Sequence, residues 1–174
     1  VAVKIDTRGA VNASKRLRQF ATSIEQVVPR AASDLARRIG PEASRQIRST
    51  YNINATRLRE SLTVTRAGDA VVLTGKDRPT GLTQFGAKAN KRTGVTVTIR
   101  KDRAPVQFRH AFAATGRGSN RQVFQRVGKA RLPIEAMYGP SPAEQLRNPE
   151  IRDHIVEFSQ RTIAAEIRRL LKRF

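Results

Sequence analysis

Helical periodicity at both ends of the chain and period-two alternation in its middle predict an α+β domain. The expected architecture is an antiparallel sheet of about four to five strands, with N-terminal helices and a long C-terminal helix packed on it. Three observations carry this. Apolar residues recur at spacings of three and four through Leu17, Phe20, Ile24 and Val27, and again through Leu35, Ile39, Ala43 and Ile47. Val95, Val97 and Ile99 alternate with Thr96, Thr98 and Arg100. Ile151, Ile155, Phe158, Thr162, Ile167, Leu170 and Phe174 form a stripe along the last segment. The expected organisation is one domain over residues 1–174: helical 7–50, sheet and basic loops 62–127, connector and C-terminal helix 128–174.

Each element has its own signal. Val1, Val3 and Ile5 alternate with Ala2 and Lys4, the pattern of a short strand. The first helical stretch meets Pro29, tolerated in a first turn, so a second helix is expected after it. Gly40-Pro41 predicts a kink in that second helix, because Pro41 lacks a donor and crowds the preceding turn. Asn52-Ile53-Asn54 reads as a turn, with Asn54 capping a short helix over residues 56–61. Leu62 and Val64, then Gly68-Asp69, then residues 70–74 read as a β-hairpin. Residues 75–94 read as a long basic, Gly-rich loop around Gln84-Phe85-Gly86. That loop and the turn at 115–121 are expected to be mobile in the isolated subunit and ordered by assembly, since they offer little apolar surface. Val106, Phe108, His110 and Phe112 share one face of a strand, and residues 123–127 are the last strand. Asn148-Pro149-Glu150 starts the final helix with a cap, a first-turn proline and an acid at the positive end of the dipole.

Charge is segregated along the chain. The formal net charge is +20, and thirteen of the 34 Lys and Arg residues lie between Arg78 and Arg131, a stretch with one acid, Asp102. Such a field favours DNA, RNA or a strongly acidic protein surface. Only 39% of residues are hydrophobic, a lean content that suits a subunit stabilised partly by its neighbours. Cysteine is absent, which excludes disulfides, thiolate metal sites and a cysteine nucleophile. No apolar run approaches the roughly 18 residues of a membrane span, and no signal-peptide core opens the chain. The expectation is a chain made and used in solution, with no membrane partner and with its initiator Met removed or outside the numbered residues.

The sequence points to no enzyme and no cofactor. His110 and His154 are far apart and lack metal-spaced neighbours; His110 reads as a half-buried strand residue and His154 as the edge of the helical stripe. No carboxylate pair stands out for acid–base work, and no nucleophile elbow is present. Gly75-Lys76 and Gly128-Lys129 lack phosphate-loop spacing. The basic middle admits two readings. Arg100, Lys101, Arg103, Arg109, Arg117, Arg121, Arg126, Lys129 and Arg131 either form a phosphate-facing surface, or are solvated or meet acidic neighbours. The strand aromatics read as core, so a base-stacking platform is not supported.

Three segments, in order, resemble the phage minor tail protein Z family. They are Thr50-Tyr51-Asn52-Ile53 with Leu58 and Leu62, Gln84-Phe85-Gly86-Ala87-Lys88 before Gly94-Val95, and residues 126–134 (Arg-Val-Gly-Lys-Ala-Arg-Leu-Pro-Ile) followed by Gly139-Pro140-Ser141. The last is the most specific. The chain departs from the pattern at Gln84, where a basic residue is expected. The resemblance implies a structural virion protein at the head-proximal end of a long phage tail, made in the host cytoplasm. It would complete the tail and enable head–tail joining and DNA passage. It also implies assembly into a ring, six-fold like the tail, beside tail terminator and head-connector proteins and the DNA end.

Two sets of residues follow as candidates. Phe85, Gly86, Arg131, Leu132, Pro133, Ile134, Gly139 and Pro140 are the family-motif interface candidates. Within the motif, Pro133 fixes an extended approach, Gly139-Pro140 forces a turn, and Leu132, Ile134 and Met137 can bury against a neighbour; an ordinary connection inside one subunit is the alternative. Arg100, Arg103, Arg117 and Arg121 are the candidates to face DNA or a protein partner, because they sit at strand ends or in loops. The competing function class is a free, non-specific nucleic-acid-binding protein of ribosomal or nucleoid type, which would co-purify with nucleic acid instead of forming rings.

Overall fold

Helix α1, Arg8–Thr50, runs unbroken through both Pro29 and Pro41. The structure is a computed structural model that describes residues 8–115, 121–128 and 130–172, with backbone alone for 8–20, 22 and 23. The expected N-terminal strand therefore lies outside the described residues. Two helices with a break were expected; one continuous helix is found. An interior proline removes one backbone hydrogen bond and costs about 3 kcal/mol. Against that stands a ridge of Val27, Ala31, Leu35, Ile39, Ala43 and Ile47, four residues apart and all buried. Neither proline is on that ridge, so the packing that holds the helix is not interrupted by them.

After α1 come α2 (Ala55–Arg59) and the hairpin of β1 (Leu62–Ala67) and β2 (Ala70–Gly75). Both follow the sequence reading: the Asn54 side chain accepts from the Thr56 amide at 2.8 Å, and Val64 pairs with Leu73 across the hairpin. Next are β3 (Thr80–Gly81), a 3-10 turn (Leu82–Phe85), β4 (Lys88–Asn90), β5 (Gly94–Val97) and β6 (Val106–Phe108). The strands β7 (Ala111–Thr115), β8 (Arg121–Arg126), β9 (Ile134–Ala136) and β10 (Tyr138–Gly139) precede α3 (Pro142–Arg147) and α4 (Pro149–Leu171). Helix α4 packs along α1. Its start is the one expected, with the Asn148 side chain accepting from the Glu150 amide.

The sheet differs from expectation. Among the described residues there are four small antiparallel sheets: β1-β2, β10-β3, β4-β5-β6 and β7-β8-β9. The expected strand over 106–112 is broken at Arg109-His110, so His110 is an exposed turn residue and not a half-buried strand residue. Residues 75–94 are not a bare loop: Thr80, Leu82 and Phe85 are buried within them. The connector also carries more structure than expected, with β9, β10 and α3. Ser141 and Glu144 form a reciprocal capping box that starts α3. One cluster of buried side chains draws on α1, α2, the 3-10 turn, β5, β7, β8 and α4.

Candidate interaction surface

The family-like segments divide between a buried node and an exposed face. The node centres on Phe85, which is completely buried. The Asn52 side-chain amide donates to the Phe85 carbonyl at 2.9 Å, and the Asn54 amide donates to the Gln84 carbonyl at 3.1 Å. Gly86 ends the 3-10 turn at φ +71°, a left-handed conformation that suits glycine. Gly139 passes directly over the phenylalanine: a Cβ there would stand 2.7 Å from Phe85 Cε2. Three segments distant in sequence thus lock one ring in place. Phe85, expected as an interface candidate, is buried in this subunit's own interior, with Gly86 ending its turn and Gly139 packed on its ring. Pro140 belongs with them, since its carbonyl accepts from the buried Gln145 side chain at 3.1 Å.

The exposed face is the outer side of the β7-β8-β9 sheet. Strand alternation and register put Ala111 and Val123 on the core side. The same register puts Phe112, Phe124, Arg126, Ile134 and Ala136 on the other side. Phe112 and Phe124 are half-buried, with ring centroids 6.1 Å apart. They stand outside the buried cluster, which corrects the reading of these two strand aromatics as core, whereas Phe108 does pack against it. The β8–β9 connection then carries apolar side chains into water: Val127 is 58% exposed, Leu132 68% and Ile134 38%. A bond from the Val127 amide to the Pro133 carbonyl, 3.2 Å, brings the two sides of this connection together. The Leu132-Pro133 peptide is cis. Arg131 is exposed beside Leu132. Met137 is partly buried against the core, so it faces inward where Leu132 and Ile134 do not.

A groove of about 750 Å³ adjoins this face, lined by Lys91, Arg109, His110, Phe112, Gln125, Arg126 and Val127 among others, with no Asp or Glu in its wall. The Arg126 guanidinium lies 5.4 Å from the Phe112 ring centre, a cation–π contact. Among the described residues, Lys91, Arg109 and Arg126 have no carboxylate partner. On the helices some guanidiniums are matched: Arg38 with Asp34, Arg45 with Glu42, Arg169 with Glu166.

The four arginines expected to face outward do not form one set. Arg100 is held by Asp102 through two bonds of 2.9 and 2.8 Å and lies over the Tyr51 ring. Its hydrogen bond to Asp102 raises its pKa further and holds the Asp102 carboxyl below the usual aspartate range. Residues 100–102 are tied to the end of α1 by the Lys101 amide, which donates to the Thr50 carbonyl at 2.8 Å. Arg103 is exposed. Arg121 lines a different groove with Arg57, Arg78 and Tyr138. Arg117 lies outside the described residues. Sequence reasoning included Arg109 and Arg126 in the broad basic set but did not single them out, and it left Lys91 in a loop. The absence of acids between residues 78 and 101 was the available signal. His154 meets Glu42 at 3.0 Å between α4 and α1. Among the described residues no cluster of three or more His, Asp or Glu could hold a metal ion, and no helix is long and apolar enough to cross a membrane.

Comparison with known proteins adds one match. The family model for Prophage minor tail protein Z (GPZ) matches residues 8–174. No curated protein and no solved structure matches the chain.

Proposed function

This chain belongs to the prophage minor tail protein Z family, and from that premise we propose that it is a non-catalytic joint at the head-proximal end of a phage tail. In this reading it completes the tail in the neck region, assembles as a ring of six copies, and meets tail terminator and head-connector proteins. DNA passes through the ring and is touched only through its backbone. The observation that carries the reading is the family match over residues 8–174, which spans all the described residues. The outer face of β7-β8-β9 supports it, because exposed apolar side chains beside unmatched cations suit a subunit whose surface is completed by others.

Deleting the gene tests the proposal. Filled heads and finished tails that do not join are the expected result, and normal infectious particles would overturn it. The reading of a free nucleic-acid binder predicts a different outcome: virions form normally and the purified protein carries cellular RNA or DNA.

A further inference from the structure

We propose that the outer face of β7-β8-β9 and its adjoining groove form a docking site for an acidic segment of a different protein, one that also carries apolar side chains. The groove supplies three cations without acidic partners, Lys91, Arg109 and Arg126. Exposed apolar residues of the same β8–β9 hairpin adjoin it. Val127 stands in the groove wall, Leu132 is exposed in the connection that the Val127–Pro133 bond closes, and Ile134 pairs in register with Arg126.

A nucleic-acid backbone would match the cations but leave Val127, Leu132 and Ile134 in water. A protein segment with carboxylates and an aliphatic side chain matches both halves of the surface. A second copy of this chain is a poor occupant. The chain carries a net charge of +20, so a second copy offers this cationic groove more cations than acids. Among the described residues exposed acids stand singly in the sequence, as at Glu25, Glu60, Asp69, Asp77 and Glu135, and those of α4 lie beside cations of their own subunit: Glu150 by Arg100, Asp153 by Arg152, and Glu157 by Arg161. The occupant is therefore acidic and heterologous. This deepens the reading of the chain as a joint by giving the chemistry of one partner, and its test requires no virion.

The test uses the purified full chain and three labelled probes followed by fluorescence anisotropy. They are a short synthetic peptide alternating Glu and Leu, its counterpart with Ser in place of Leu, and random-sequence duplex DNA. The Glu/Leu peptide is expected to bind about tenfold more tightly than the Glu/Ser peptide. Val127→Ser with Leu132→Ser should remove that advantage and leave the Glu/Ser peptide unchanged. Lys91→Gln with Arg109→Gln should weaken both peptides by about tenfold or more. All four positions are on the surface, so an unchanged melting temperature verifies that the variants fold. Failure of the Glu/Leu peptide to bind overturns the proposal. So does indifference to the apolar pair, and so does a groove variant that loses DNA while keeping the peptide. Absent peptide binding together with unjoined heads and tails in the deletion would sink this site and leave the joint standing. Peptide binding with normal particles would do the reverse.

Discussion

Phe85 and Leu132 both stand in segments that resemble the tail family, yet one is sealed from water and the other is 68% exposed. Around Phe85, two backbone carbonyls are taken up by Asn52 and Asn54, and Gly139 leaves room for the ring. Around Leu132 no buried cluster forms, and the neighbouring cations lack acids. A motif can therefore record two different constraints. One keeps a subunit's interior assembled, and the other presents a surface. The two differ in what substitution should do. Changes at the first should appear as lost stability of the isolated chain, and changes at the second as lost association.

The largest expected effect is at the node. Phe85→Ala should cost about 3–5 kcal/mol, which lowers the melting temperature by roughly 6–20 °C in a chain of this size. A small change would mean that the node is not the structural pole of the comparison. Next is the helix pair. Ile151 and Ile155 are buried where α4 meets the core, so Ile155→Ala should cost about 2–5 kcal/mol by urea denaturation. Ile167, half-buried in a groove beside Leu35 and Val71, should cost less. Asn52→Ala removes one hydrogen bond at the node and should cost about 1 kcal/mol. At the other pole, Leu132→Ser should change stability by no more than about 0.5 kcal/mol while abolishing head–tail joining; a large drop in melting temperature would collapse the distinction.

Two further measurements sharpen the contrast. Hydrogen exchange of the isolated chain should show protection at the Gly86 amide, which donates to the Thr83 carbonyl at 3.2 Å, against the sequence-based expectation of a mobile loop throughout residues 75–94. The smallest effect concerns pH. Asp102 has a lowered pKa because Arg100 hydrogen-bonds it. Its contribution to stability is thus present above the ordinary aspartate range and is lost as pH falls through the lowered value. Asp102→Asn should flatten that part of an acid titration of stability. An unaltered curve would show the pair to be without consequence in solution.

Local patterns were legible where one short stretch decides its own structure. Gly68-Asp69 between alternating strands specified a hairpin, Asn54 a cap, and Asn148-Pro149-Glu150 a helix start, all through neighbours in sequence. The family resemblance was legible for the same reason, as contiguous residues in order. Pro29 and Pro41 misled because a local penalty was weighed without the long buried ridge that offsets it. Leu82 and Phe85 were hidden in a segment whose average composition is polar and basic. Alternation across residues 106–112 concealed the break at Arg109-His110.

The sequence by itself determined a mixed helical and stranded chain, its charge segregation and its family, because composition, period and motif are properties of neighbouring residues. Only the tertiary structure decided that the described strands divide into four small sheets, that Phe85 and Gly139 meet, and that Glu42 of α1 meets His154 of α4 while Lys91, Arg109 and Arg126 meet no described acid. Burial and ion pairing depend on which distant segments come together, and each is a competition between water and a partner that the linear order does not name.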